Sequence, residues 1–193
     1  MRVLVLYCHP NPESFGAALH GAVVEALTAA GHQVDDCDLY AEGFDAVLSR
    51  AERAGYHDLA TNTWPVQAHV DRVRAAEALV LVFPVWNFGF PALLKGYLDR
   101  VFLPGVSFGL VDGTTQGMLT NIGKIGVVTS YGATWMKATL LGNPPRKFCT
   151  RSLRAVTRFR ASVDYLAHYD MNRSTPETRA AFLGKVTRHF ARF

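Results

Sequence analysis

The chain has 193 residues, of which 49% are hydrophobic and 19% charged, with 16 glycines and 9 prolines. That composition excludes disordered, collagen-like and low-complexity classes, and the length suits one domain, residues 1–193, burying about 70% of its unfolded surface. The formal charge of +4 hides an asymmetry, because residues 1–97 carry 6 basic against 11 acidic side chains and residues 98–193 carry 14 against 5.

Residues 2–7, RVLVLY, form an apolar β-branched run closed by His9-Pro10-Asn11-Pro12, which reads as a buried strand and a loop. Phe15, Ala18, Leu19, Ala22, Val23, Ala26 and Leu27 then fall on one helical stripe that Gly31 is placed to end. Residues 33–39, QVDDCDL, look extended but carry three aspartates, too many for a strand covered on both faces, so this strand belongs at a sheet edge. Residues 40–65 are rich in turn formers and read as an irregular excursion, followed by a short helix from Val66 to Ala76. The uncharged run ALVLVF at 78–83 marks the sheet centre.

Pro91 opens a helix with Leu93, Leu94, Tyr97, Leu98, Val101 and Phe102 on its apolar face. Pro104 to Gly123 is aperiodic and reads as a long functional or subunit-contact loop. A fourth strand at Ile125–Thr129 precedes a loop, and a fifth run at Ala161–Leu166 precedes a final helix capped by Thr175 with Pro176 at its first position. Five alternations of strand and helix imply an α/β fold with a parallel sheet covered on both faces. No apolar run approaches the ~20 residues that span a bilayer, and the start MRVLVLYCHP has no signal-peptide cleavage pattern, so cytoplasmic residence without a transmembrane segment is expected. Cys8, Cys37 and Cys149 are odd in number with no CxxC and no paired His spacing, so free thiols are expected and no metal site.

In a doubly wound sheet ligands bind beyond the carboxyl ends of the strands, beside the point where strand order reverses. This selects residues 8–16, 84–90 and 129–133. The first loop brings Ser14 and free N–H groups to a helix start, suited to a phosphate or to simple capping. It lacks GxxxxGK[ST] and GxGxxG, and no arginine lies between Arg2 and Arg50 to serve a cysteine-phosphatase loop around Cys8. The second loop concentrates Phe83, Trp86, Phe88 and Phe90 beyond the central strand, walls for a large flat heterocycle or for a dimer interface. The third, Thr129-Ser130-Tyr131-Gly132-Ala133, offers hydroxyls and backbone donors to the opposite edge of the same ring. Six bases without an acid lie between Arg146 and Arg160, a solvated face or an attractor of phosphorylated small molecules, nucleic acid or an acidic partner.

HPNPESF at 9–15, DLY at 38–40 and FPVWNFGFPALLKGYLDRVF at 83–102 resemble, in order and over most of the chain, the flavodoxin-like NAD(P)H:quinone oxidoreductases. Asn87-Phe88 after an aromatic is similar to the P-x-Y-N-F segment of the FMN-dependent azoreductases. The resemblance implies a flavodoxin-like doubly wound five-stranded sheet in order 2-1-3-4-5. It also implies a flavin that takes hydride from NAD(P)H and passes two electrons to a quinone, azo or other small aromatic acceptor in ping-pong fashion.

Carried over by position, His9, Ser14, Phe15 and Gly16 would surround the flavin phosphate and ribityl chain. Pro84, Val85, Trp86, Asn87 and Phe88 would line the ring, and Thr129, Ser130, Tyr131 and Gly132 its pyrimidine end. Trp86, with Phe108 and Leu110 of the long loop, would contact substrate at a homodimer interface. FMN is favoured over FAD. The family's TTGG and following Tyr and His are here TSYGA, with no histidine between His69 and His168, so no side chain is assigned to catalysis and Tyr131 stands as the one candidate donor. Arg151, Arg154 and Arg158, at helical spacing, would meet the phosphates of NADPH, and no nucleic-acid partner is expected. An electron carrier or a flavin-binding regulatory subunit is the alternative.

Overall fold

A computed structural model describes residues 1–193. Five parallel strands form the sheet: β1 (Arg2–Tyr7), β2 (Gln33–Asp38), β3 (Ala78–Val85), β6 (Lys124–Tyr131) and β7 (Ser162–His168), in the order β2-β1-β3-β6-β7. Counting only these five, the order is the expected 2-1-3-4-5. The aspartate-bearing strand lies at an edge and the uncharged run at the centre, because a strand covered on both faces has no route to hydrate a carboxylate.

One face is covered by α1 (Phe15–Ala29) and α8 (Pro176–Phe190), which pack Leu19, Val23, Leu27, Phe182, Val186 and Phe190 on Val3, Val5, Val80 and Val82. The other face holds α3 (Gln67–Ala75) and α4 (Ala92–Val101), together with α6 (Pro144–Lys147), a π-turn at Phe148–Ser152 and α7 (Leu153–Ala155). Ser14 and Thr175 cap α1 and α8 through their side chains, as their spacing predicts.

Two expectations are corrected by the structure. Residues 40–65 contain a short helix, α2 (Arg50–Ala54), begun by a capping box between Ser49 and Glu52. Glu52 also receives Arg100, a nearly buried residue of α4 that donates a further bond to the Asp45 carbonyl and so pins this segment across the helix. The long loop 104–123 is not structureless either: β4 (Phe108–Val111) and β5 (Thr114–Gly117) form a hairpin around Asp112-Gly113, both in the left-handed region. The hairpin is docked by Leu119 N–H on the Val156 carbonyl, 3.0 Å, and by Gly117, where a Cβ would collide with the Ala155 and Val156 carbonyls.

Candidate functional site

Register carries the three selected loops to one edge. Tyr7 pairs with Val82, Pro84 with Ser130, and Ser130 with His168, so the chain leaves β1, β3, β6 and β7 along the same carboxyl rim. Strand order reverses between β1 and β3, and α1 and α4 depart to opposite faces, which opens the crevice between them.

In the first loop, Asn11 Oδ1 accepts the Glu13 N–H at 2.8 Å, and Ser14 Oγ accepts the Ala17 N–H at 3.0 Å. The N–H groups of Phe15 and Gly16 are thereby left as the free donors that every helix start presents. His9 Nδ1 accepts the Asn11 N–H at 3.0 Å, which puts the ring's proton on Nε2, and a Cβ on Gly16 would touch that ring. Cys8, one residue earlier, is fully buried, and burial pushes its thiol up to about 12. It is no nucleophile at neutral pH.

The second loop closes on itself as a tight turn. Trp86 and Gly89 exchange both backbone hydrogen bonds, 3.2 and 2.8 Å, and the two residues between them, Asn87 and Phe88, have φ of 49° and 56°. Asparagine tolerates that region; phenylalanine at positive φ is strained by about 1–3 kcal/mol. Of the four aromatics, Phe83 and Phe90 turn inward and pack on each other at 5.0 Å, with Phe148 beyond. Trp86, 40% exposed, and half-buried Phe88 remain at the rim, and the His9 ring lies 5.8 Å from Trp86 across the crevice.

In the third loop the structure corrects the reading of Tyr131. Its side chain is 1% exposed, and its hydroxyl donates to Asn143 Oδ1 at 2.7 Å and shares a 2.6 Å hydrogen bond with Tyr165. The hydroxyl is a structural tie rather than a donor to a ligand. Desolvation pushes it up to about 12 although the Tyr165 bond acts the other way. Thr129 is buried with an Oγ1 that has no partner, whereas Ser130 is half-buried and Gly132 exposed.

Phe108 lies apart from these loops, in a groove with Gln116, Val156, Arg158 and Phe159, and Leu110 projects from the hairpin 78% exposed. Arg151, Arg154 and Arg158 do not share a helical face, since α7 ends at Ala155 and Arg158 takes a left-handed conformation. Arg154 Nε donates to the Ala161 carbonyl and Arg158 Nε to the Gly117 carbonyl. Sequence reasoning missed His168, whose ring stands edge-on to Phe15 at 5.5 Å and to Phe182 at 5.3 Å. Burial holds its pKa below the usual imidazole value, so it is neutral beside the start of α1. Its place directly after the fifth apolar run was the available signal.

These features fit a phosphate-bearing flat ring system: free N–H donors at the start of α1, an aromatic rim formed by exposed Trp86 and half-buried Phe88, and a buried Thr129 hydroxyl lacking a partner. The family profile described as flavodoxin-like fold matches residues 1–188, and the chain belongs to that family. An uncharacterized NAD(P)H oxidoreductase of Haemophilus influenzae is 34% identical over 122 residues, covering 63% of this chain and 60% of that protein. NAD(P)H dehydrogenase (quinone) 1 of Rattus norvegicus is 29% identical over 148 residues, 68% of this chain and 54% of its own. The chain thus spans a little over half the length of these curated relatives. Smu.1420 from Streptococcus mutans UA159 superposes with a TM-score of 0.89 at 27% identity, covering 100% of both chains.

Proposed function

We propose that this protein is a flavin-dependent oxidoreductase that accepts two electrons from NAD(P)H and passes them to a quinone or similar small aromatic acceptor, with FMN as its flavin. The observation that carries this reading is the strained Asn87-Phe88 turn, which sets Trp86 and Phe88 at the switch-point crevice opposite His9. Such strain persists only where surrounding contacts over-determine it, a mark of ligand sites. A flavin bound there supplies the hydride-accepting and hydride-donating chemistry.

The chain's own residues bind and orient. Phe15 and Gly16 N–H groups, with the positive end of α1, hold the phosphate. With the flavin bound, Pro84 to Phe88 would line one side of the ring, Trp86 would shield it from water, and backbone donors of Thr129 to Gly132 would serve its pyrimidine end, where such donors stabilise negative charge. With Tyr131 engaged below, its hydroxyl supplies no proton at that edge. Trp135, Met136, Leu140 and Leu141, 51–79% exposed on and just after α5 (Trp135–Leu140), form an apolar surface beside this loop that suits a homodimer.

The test is steady-state turnover of menadione with NADPH after reconstitution with FMN or with FAD. Parallel-line kinetics with FMN are expected, and Trp86→Ala should weaken FMN retention about tenfold, the loss of one stacked ring. Flavin uptake with reduction only through a separate reductase would overturn the enzyme reading in favour of a carrier.

A further inference from the structure

On the β2 edge of the sheet lies a group that the oxidoreductase reading does not use. Cys37 on β2, Glu42 in the following turn and His69 on α3 place a thiol, a carboxylate oxygen and a ring nitrogen within 4.8 Å of one another. Cys37 is fully buried, its Sγ donating to Glu42 Oε2 at 3.6 Å. In a tetrahedral zinc site with S and O ligands at about 2.3 and 2.0 Å, the S···O edge is about 3.5 Å. The pair already has the spacing of two zinc ligands.

The third group lies within 4.8 Å of both and has no competing partner. His69 Nδ1 is buried without a hydrogen-bond partner, and its ring is clamped edge-on by Phe44 at 4.9 Å and Tyr97 at 5.4 Å. Burial lowers its pKa, so the imidazole is in the neutral, ligating form. A second observation points the same way: Tyr97, whose ring packs edge-on against His69, is fully buried and its hydroxyl has no partner. Arg72 bridges Glu42 at 2.8 Å and Asp35 at 2.7 Å, as an outer partner orienting a ligand does. With Cys37 as thiolate, the charges of Cys37, Glu42, Asp35 and Arg72 leave an excess of two negatives, which a divalent cation cancels.

We infer that Cys37, Glu42 and His69 form a structural site for a borderline divalent metal of the zinc class, clipping the edge strand and its turn to α3. On binding, the S–H bond breaks, its proton leaves to solvent, and a sulfur–metal bond forms in its place. Three protein ligands leave the fourth position to water, and the half-exposed side of Glu42 gives the ion its entry.

Titration of the chelator-treated protein with Co²⁺ tests the site through the d–d bands of tetrahedral thiolate-ligated cobalt, which lie to the red of flavin absorption. One equivalent per chain should develop the bands, and Zn²⁺ should bleach them. Cys37→Ser should abolish them, His69→Gln should weaken Co²⁺ binding at least about tenfold, and Cys149→Ser should leave them intact. Absence of the bands in the wild-type protein, which needs no variant to fold, overturns the site, as does their survival in Cys37→Ser. Flavin binding and turnover are unaffected by either result.

Discussion

Replacing Tyr131 by phenylalanine separates a structural hydroxyl from a catalytic one. The hydroxyl serves Asn143 Oδ1 at 2.7 Å and Tyr165 at 2.6 Å, and Asn143 is only 7% exposed. Its removal leaves the Asn143 side-chain oxygen without that donor inside the protein and takes from Tyr165 its hydroxyl partner. An unsatisfied buried acceptor costs about 1–3 kcal/mol, so a loss of about 2 kcal/mol is expected. In a chain of this length that lowers Tm by about 4–8 °C. Adding Tyr165→Phe should cost about 1 kcal/mol less than the sum of the two singles, because fewer groups are then stranded. Thermal melts should show this loss, while kcat with NADPH and menadione stays within about twofold of wild type, far short of the tenfold that 1.4 kcal/mol of barrier would produce. An unchanged Tm with a tenfold fall in kcat would refute the reasoning and return Tyr131 to the reacting edge.

Further predictions follow from packing and titration. Gly96→Ala puts a methyl into the Ala46 backbone that crosses α4 there, and should destabilise by about 1–3 kcal/mol despite alanine's higher helix propensity; a denaturation midpoint that rises contradicts this. Burial pushes Cys8, Cys37 and Cys149 each up to about 12, so none should react with a disulfide reagent at pH 8 in the native protein. Because these folded-state values, and that of Tyr131, lie above the unfolded ones, the stability they contribute is complete below about pH 8.5 for the thiols and about pH 10 for the tyrosine, and is lost as pH rises toward 12. A melt series from pH 7 to pH 11 should therefore decline only at its alkaline end. Arg154→Ala should lower Tm by stranding the Ala161 carbonyl, leaving the ratio of KM for NADPH to that for NADH unchanged; a changed ratio would restore the nucleotide-phosphate role.

Much of this architecture was legible because burial leaves a compositional trace. A strand with no charge must be central, a strand with three aspartates must be at an edge, and Ser14 and Thr175 stand where caps belong. The hairpin at 108–117 was legible too: Asp112-Gly113 is a strong local turn signal, overlooked because the stretch around it lacks alternation. Tyr131 ends a strand whose residues from Ile125 to Thr129 are buried on both faces, so its burial followed from extending that internal strand past Thr129. The turn at Asn87-Phe88 was not legible, since no propensity places phenylalanine at positive φ. The end of α7 before Arg158 was likewise not legible: it closes in a local turn with the Arg158 and Phe159 N–H groups on the Ala155 and Arg154 carbonyls and both residues at positive φ, a turn no propensity of Arg-Phe announces. The Cys37-Glu42-His69 group escaped because its members come from a strand, a turn and a helix with no motif spacing.

The central claim is that the crevice between β1 and β3 holds a flavin that exchanges electrons with NAD(P)H and a small acceptor. Its most direct test is the visible spectrum of the freshly purified protein, recorded anaerobically before and after NADPH and again after menadione. The account predicts flavin bands that bleach with NADPH and return with menadione, with FMN released on denaturation. A colourless protein that takes up neither FMN nor FAD would contradict it and reassign Trp86 and Phe88 to a protein interface.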